Sequence, residues 1–227
     1  MLLNLLRGGN SQQIVMGLLS ALFVVFCTMP IHEFAHAYVA TKLGDDTPRL
    51  RGRLTLNPLA HIDILGAVMI LLVGFGYAKP VPVSMRRFKK PKRDMALTAL
   101  AGPVSNLIMA AIFMFFENLF EGLYFKSGGV SVFFDLLSVF FYFAAYINVG
   151  LMVFNLLPVP PLDGYRVASA LIPYKYYFKI MQYERYIMYG VMVLLFLGVL
   201  SKPLSLLSSL VLNGLGRVTG MLVSLII

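Results

Sequence analysis

Residues 14–40 read "IVMGLLSALFVVFCTMPIHEFAHAYVA". From Ile14 to Ile31 there is no Asp, Glu, Lys, Arg or His, and a helix of that length covers most of the roughly 30 Å hydrocarbon core of a bilayer. Three ionisable side chains, His32, Glu33 and His36, then fall within five residues. Each charge carried into a bilayer helix costs about 2.5–3.5 kcal/mol on insertion scales. On a helix His32 and His36, four apart, project from one face and can share a metal ion. Glu33 stands beside them, placed to take a proton from a water on that metal. The blander reading is a pair of interfacial histidines with a snorkelling glutamate.

Composition identifies the solvent. Of 227 residues, 59% are hydrophobic and only 13% charged, with a mean hydropathy of +0.82; a soluble domain of this length needs far more polar surface, so the chain reads as an integral membrane protein. The net charge of +9 is concentrated. Between residues 41 and 94 lie eleven basic residues and four acids. The positive-inside rule accounts for this as cytoplasmic loops facing anionic lipid, and nucleic-acid binding is not expected. The single cysteine, Cys27, supplies no disulfide framework. The first apolar run has a weakly charged start and no small-residue cleavage site, so it reads as an uncleaved helix.

The expected fold is an all-α polytopic membrane protein with about five spanning helices plus one re-entrant or short apolar segment. Residues 1–13 form a short polar entry, 14–40 a helix ending in the histidine motif, and 41–61 a turn with short strand-like pieces around its alternating Arg-Leu pattern. Residues 62–77 are apolar but short. Further helices are expected over about 94–117, 131–157, 186–200 and 203–226. If 62–77 crossed the membrane, the two basic loops flanking it would lie on opposite sides; a re-entrant dip puts both in the cytoplasm. The N-terminus and the turn at 118–130 then lie outside. Residues 1–227 read as one membrane-embedded domain, with a core over about 14–170 and C-terminal helices over about 186–226.

A catalytic zinc takes three protein ligands and one open position. Beyond the pair in "HEFAH" the chain has one more histidine, His61, so carboxylates must be considered. The best candidate is Asp163 in "NLLPVPPLDG" (155–164), where Pro158, Pro160 and Pro161 end a helix at membrane depth and leave backbone groups that only a polar cavity tolerates. An ordinary helix-terminating turn is the competing reading.

Three motifs in order, "HEFAH" at 32–36, "AGPVSN" at 101–106 and "NLLPVPPLDG" at 155–164, resemble those of the site-2 proteases, the M50-like intramembrane zinc metallopeptidases. The stretches "GRLTLNPLAHID" (52–63) and "AKPVPV" (78–83) are similar to those of short bacterial members. The resemblance spans roughly residues 29–170. It implies one Zn²⁺ per chain on His32, His36 and Asp163, Glu33 as general base, and Asn155 as a residue that holds an unwound substrate backbone; Asn155 as a helix cap is the other reading of the residue. Asn106 is either a packing residue four from Gly102 or a hydrogen-bonding group toward the site. His61 is either an oxyanion donor or a group that hydrogen-bonds behind a metal ligand, or an interfacial residue at the dip. The expected partners are a transmembrane protein or peptide substrate and the lipid bilayer, in a bacterial cytoplasmic membrane with the site open to the cytoplasm. The oligomeric state is not encoded in any motif. The same ligands would also fit a non-catalytic zinc-binding membrane protein or a metal transporter. A transporter would place acids or histidines on several helices along an ion path, whereas here they are confined to a few motifs.

Overall fold

The computed structural model describes residues 8–73 and 77–227; most of the polar entry and the end of the short apolar segment, residues 74–76, lie outside the described residues. Among the described residues there is no strand, and four helices are long and apolar enough to span a membrane. They are α1 (Ser11–Lys42), α3 (Pro91–Lys126), α4 (Val132–Asn155) and α8 (Ser201–Val223). Between them lie the shorter helices α2 (Ile64–Val73), α5 (Asp163–Ala168), α6 (Tyr174–Met181) and α7 (Glu184–Phe196). The all-α polytopic architecture is the one expected.

Helix α1 begins at a reciprocal cap. The Asn10 side chain accepts from Gln13 N–H at 2.8 Å, and the Gln13 side chain accepts from Asn10 N–H at 3.2 Å. Midway, Val24–Thr28 widen into a π-turn, where Met29 N–H reaches back five residues to the Val24 carbonyl. Pro30, two residues on, has no N–H for the carbonyl four residues before it, and a widened turn absorbs that break without ending the helix. The histidine motif follows at once.

Side-chain contacts fix the directions of the spans. Ser20 Oγ donates to the Phe140 carbonyl at 2.8 Å and Gln12 to Asp135 at 2.6 Å, so α1 and α4 run parallel. His36 meets Thr98 while His32 faces Gly102, so α1 and α3 are antiparallel. Asn118 Nδ2 donates to Thr219 Oγ1 at 3.0 Å, and Met114 lies against Gly216, so α8 runs parallel to α3. The core where these helices meet is apolar, built on Phe113 and Met114 of α3, Ala144, Val149 and Val153 of α4, and Leu204 and Leu212 of α8.

Two expectations about the connections are resolved by this packing. Lys79 N–H donates to the His61 carbonyl at 2.8 Å, so the excursion through α2 returns to the level at which it left. It makes no net crossing, as a re-entrant segment requires, and its 10 residues span only about 15 Å. The segment from Leu156 to Leu200 also makes no net crossing, because α8 starts at the end of the bundle where α4 stops. Against the expected count of about five spans, four helices among the described residues are long enough to cross: α7, with 13 residues, reaches only about 20 Å.

The strand-like pieces expected in 41–61 are a helical turn at Thr47–Leu50 and a 3-10 turn at Pro58–Ala60. Their loop is fastened by side chains instead of strand pairing. Buried Arg53 donates to the carbonyls of Lys79 (2.6 Å) and Pro80 (2.7 Å). Buried Asp45 accepts from Thr47 N–H at 3.0 Å and Ser84 N–H at 2.6 Å. These bonds hold residues 77–84 against the bundle end where His36 lies.

Candidate metal centre

His32 and His36 sit one turn apart on the face of α1 that packs against α3. His36 Nδ1 lies 2.7 Å from the Thr98 carbonyl. A carbonyl only accepts, so Nδ1 carries the proton and Nε2 is left with its lone pair for a ligand. The two rings can press against α3 because residue 102 has no side chain. A methyl there would overlap His36 Nε2 and the Cε1–Nε2 edge of His32. The packing role expected of Gly102 in "AGPVSN" thus has a specific content: it makes room for two imidazoles.

Asp163 arrives from the other half of the chain. Helix α4 stops at Asn155, and the proline-rich turn that follows, with a cis Pro160–Pro161 peptide, delivers Asp163 as the first residue of α5. Gly164 is not in the left-handed region; what it supplies is space, since a methyl would overlap the carbonyls of Leu156 and Leu157. The chain folds back on itself there, and the Asp163 carboxylate is turned toward α1.

The three ligand atoms converge. His32 Nε2 and His36 Nε2 are 3.0 Å apart. Asp163 Oδ2 lies 3.4 Å from the first and 3.2 Å from the second. Ligand atoms bonded at about 2.0–2.1 Å to one tetrahedral zinc stand roughly 3.3 Å from each other, so this triangle fits such an ion. Two neutral imidazoles and one carboxylate are a catalytic rather than a structural set, because they leave the fourth position open. All three side chains are buried.

A cavity of about 320 Å³ opens beside this triangle, lined among others by His32, Glu33, His36, Asn106, Asn155 and Asp163. Glu33 is buried, and no hydrogen bond or ion pair engages its carboxylate among the described residues. Asn155 lies on the wall with Nδ2 donating to the Leu151 carbonyl of its own helix at 3.0 Å, which leaves its carbonyl oxygen for another partner. Asn106 is almost fully buried, and neither of its amide atoms has a partner.

His61 is placed differently. It is fully buried, donates from Nε2 to the Thr55 carbonyl at 2.8 Å, and is not among the residues lining the cavity. Its neighbour Asp63 caps α2, accepting from Gly66 N–H at 3.0 Å. Sequence reasoning missed the Thr98 carbonyl, the partner of His36. A backbone group has no residue signature, and only the register of two helices could have revealed it.

A membrane-embedded helical bundle with a His-His-Asp triangle, an unengaged glutamate and an open cavity has the parts of a metallopeptidase. The sequence comparisons agree. The model of Peptidase family M50 matches residues 125–198, which include the Asn155–Gly164 motif. "Putative zinc metalloprotease YwhC" of Bacillus subtilis is 47% identical over 156 residues, 69% of this chain and 70% of that protein. "Putative zinc metalloprotease Rip2" of Mycolicibacterium smegmatis is 32% identical over 144 residues, 60% of this chain and 50% of that protein. "Putative zinc metalloprotease MJ0611" of Methanocaldococcus jannaschii is 30% identical over 136 residues, 60% of this chain and 62% of that protein. No solved structure matches the chain at a significant level. The chain belongs to Peptidase family M50.

Proposed function

We propose that this chain is a zinc-dependent intramembrane endopeptidase of the site-2 type, cutting peptide bonds in or near transmembrane segments of membrane-bound substrates. The observation that carries the reading is the convergence of His32, His36 and Asp163 beside the free Glu33 carboxylate on one cavity within the bundle. In this reading the three residues hold zinc, which when bound polarises the scissile carbonyl and lowers the pKa of a water to about 7.

Glu33 takes a proton from the attacking water as the new C–O bond forms. It then gives that proton to the leaving amine as the C–N bond breaks, so the carboxylate ends as it began. The Thr98 carbonyl holds His36 in the tautomer that leaves Nε2 unprotonated. Asn155 offers its free amide oxygen to a substrate N–H. The peptide groups of a transmembrane helix are bonded within it and shielded by its side chains, so a scissile bond is reached only after local unwinding. A peptide must leave the helix to enter, and its freed backbone groups then need protein partners.

The basic loops flanking α2 belong on the cytoplasmic side by the positive-inside rule. Both α1 and α4 then run inward, and the cavity lies at the cytoplasmic end in a cytoplasmic membrane. The reading is tested with purified protein in detergent and several single-span substrates, comparing wild type with Glu33→Gln and measuring bound zinc in both. The expected result is a loss of about 10²–10⁴ in cleavage rate with zinc retained. Equal cleavage by the two proteins would remove Glu33 as the base. Zinc in both with no cleavage of any substrate would favour a zinc-binding or transport protein instead.

A further inference from the structure

Of the two candidate zinc-binding histidines, only one has a partner for its second ring nitrogen. His36 gives its Nδ1 proton to the Thr98 carbonyl, whereas His32 Nδ1 is buried with no hydrogen-bond partner. Metal-bound histidines almost always donate this second N–H, and the acceptor fixes the ring's orientation and basicity. A buried, unmet donor is also costly in itself. The structure therefore contains one finished ligand and one that lacks its support.

A candidate acceptor lies on the face of α3 that meets the two histidines. Thr98, Gly102 and Asn106 are spaced four apart and form one face of α3. Thr98 serves His36 and Gly102 admits both rings. Asn106 is the next step along that face, toward the N-terminal half of α1. Side chains on a helix lean toward its N-terminus. Because α1 and α3 are antiparallel, the His32 ring leans toward the level of Asn106, and the Asn106 side chain leans back toward the level of His32. Asn106 is 1% exposed, it lines the cavity, and both of its amide atoms are without partners. An unpaired buried donor and an unpaired buried acceptor stand on adjoining turns of packed helices.

We infer that Asn106 is the positioning residue for His32, its amide oxygen accepting the His32 Nδ1–H through one bridging water. The inference rests on the reading of His32 as a zinc ligand. No direct bond joins the two groups; both residues line the cavity, and a water bridging them would satisfy both. The bond makes His32 Nε2 the unprotonated nitrogen, matching what Thr98 does for His36. It acts on the metal through the imidazole, so Asn106 touches neither substrate nor zinc.

The test compares wild type with Asn106→Leu, which keeps the volume and removes the acceptor, and Asn106→Asp, which keeps an acceptor. Zinc affinity is measured in the full-length protein by competition with a chromogenic chelator, without substrate. The ligand field is read from the visible absorption of the cobalt-substituted protein. We expect Asn106→Leu to weaken zinc binding by about 10–100-fold and to shift the cobalt spectrum, with Asn106→Asp within a few-fold of wild type in both. Thermal unfolding of the zinc-stripped proteins shows whether each variant folds. If Asn106→Leu does not fold, Asn106→Ala against Asn106→Asp gives the same comparison.

Unchanged zinc affinity in a folded Asn106→Leu protein would overturn the inference and return Asn106 to substrate binding or packing. Equal losses in Leu and Asp variants would overturn it too, since an acceptor would then not matter. His32→Ala separates the two levels. Zinc lost with His32→Ala but kept with Asn106→Leu defeats this inference alone, while zinc unaffected by His32→Ala defeats the ligand reading beneath it.

Discussion

Gly102→Ala sets helix stability against metal binding and should separate them. Within a helix, alanine is favoured over glycine by about 1 kcal/mol, so on local grounds the substitution strengthens α3. The added methyl, however, overlaps the imidazoles of both His32 and His36. Carbon and ring atoms settle at about 3.5–4.0 Å, so the rings must retreat by roughly 1 Å. Metal sites tolerate about 0.2 Å in ligand distance, and two of three ligands would be displaced several times that. The loss in zinc affinity should exceed the roughly 100-fold of a lost supporting hydrogen bond, or about 2.7 kcal/mol at 1.36 kcal/mol per factor of ten. Chelator competition reads the affinity, and thermal unfolding of the zinc-free protein reads the helix. The expected pattern is a zinc-free midpoint equal to or above wild type with zinc binding largely gone. Wild-type zinc affinity in Gly102→Ala would refute the claim that glycine is there to admit the rings.

Gly164→Ala should behave differently, because the methyl meets the main-chain carbonyls of Leu156 and Leu157, which cannot swing aside as rings do. Lower thermal stability and loss of zinc together are expected, and zinc loss alone would point to a local adjustment of Asp163. Arg53→Met keeps the aliphatic stem and removes two charged hydrogen bonds to the carbonyls of Lys79 and Pro80. Bonds of this kind contribute about 1.5–3 kcal/mol each, so residues 77–84 should become more open to limited proteolysis while zinc stays bound. An unchanged cleavage pattern would show that Asp45 and the His61 carbonyl suffice to hold that run.

Much of the site was legible because its chemistry is local. The four-residue spacing of His32 and His36 is a helical statement, and a glutamate beside them inside an apolar run is too costly to be incidental. Asp163 was legible as a carboxylate next to a proline-broken helix end. The roles that stayed open depend on what faces what across helices. Asn106 and Asn155 look alike as asparagines, yet one is bonded back to its own helix and the other has no partner. His61 has the residue type of a ligand and is committed to the Thr55 carbonyl. The Arg-Leu alternation around Arg53 imitates a strand because alternate residues point inward, but the inward arginine hooks carbonyls and no strand forms. The count of spans differs from about five for a related reason. Hydropathy marks α7 as apolar, and only its length and the parallel course of α3 and α8 show that it does not cross.

The triangle of His32, His36 and Asp163 also imposes an order on biosynthesis. Its members come from opposite halves of the chain, with Asp163 lying 127 positions after His36. At about 5–20 residues per second of synthesis, α1 waits roughly 6–25 s in the membrane with two histidines and no third ligand. The centre closes only when the turn after α4 has emerged and folded back. A nascent chain therefore carries Glu33 and two of the three converging side chains, and the triangle is complete only once the bundle around it exists.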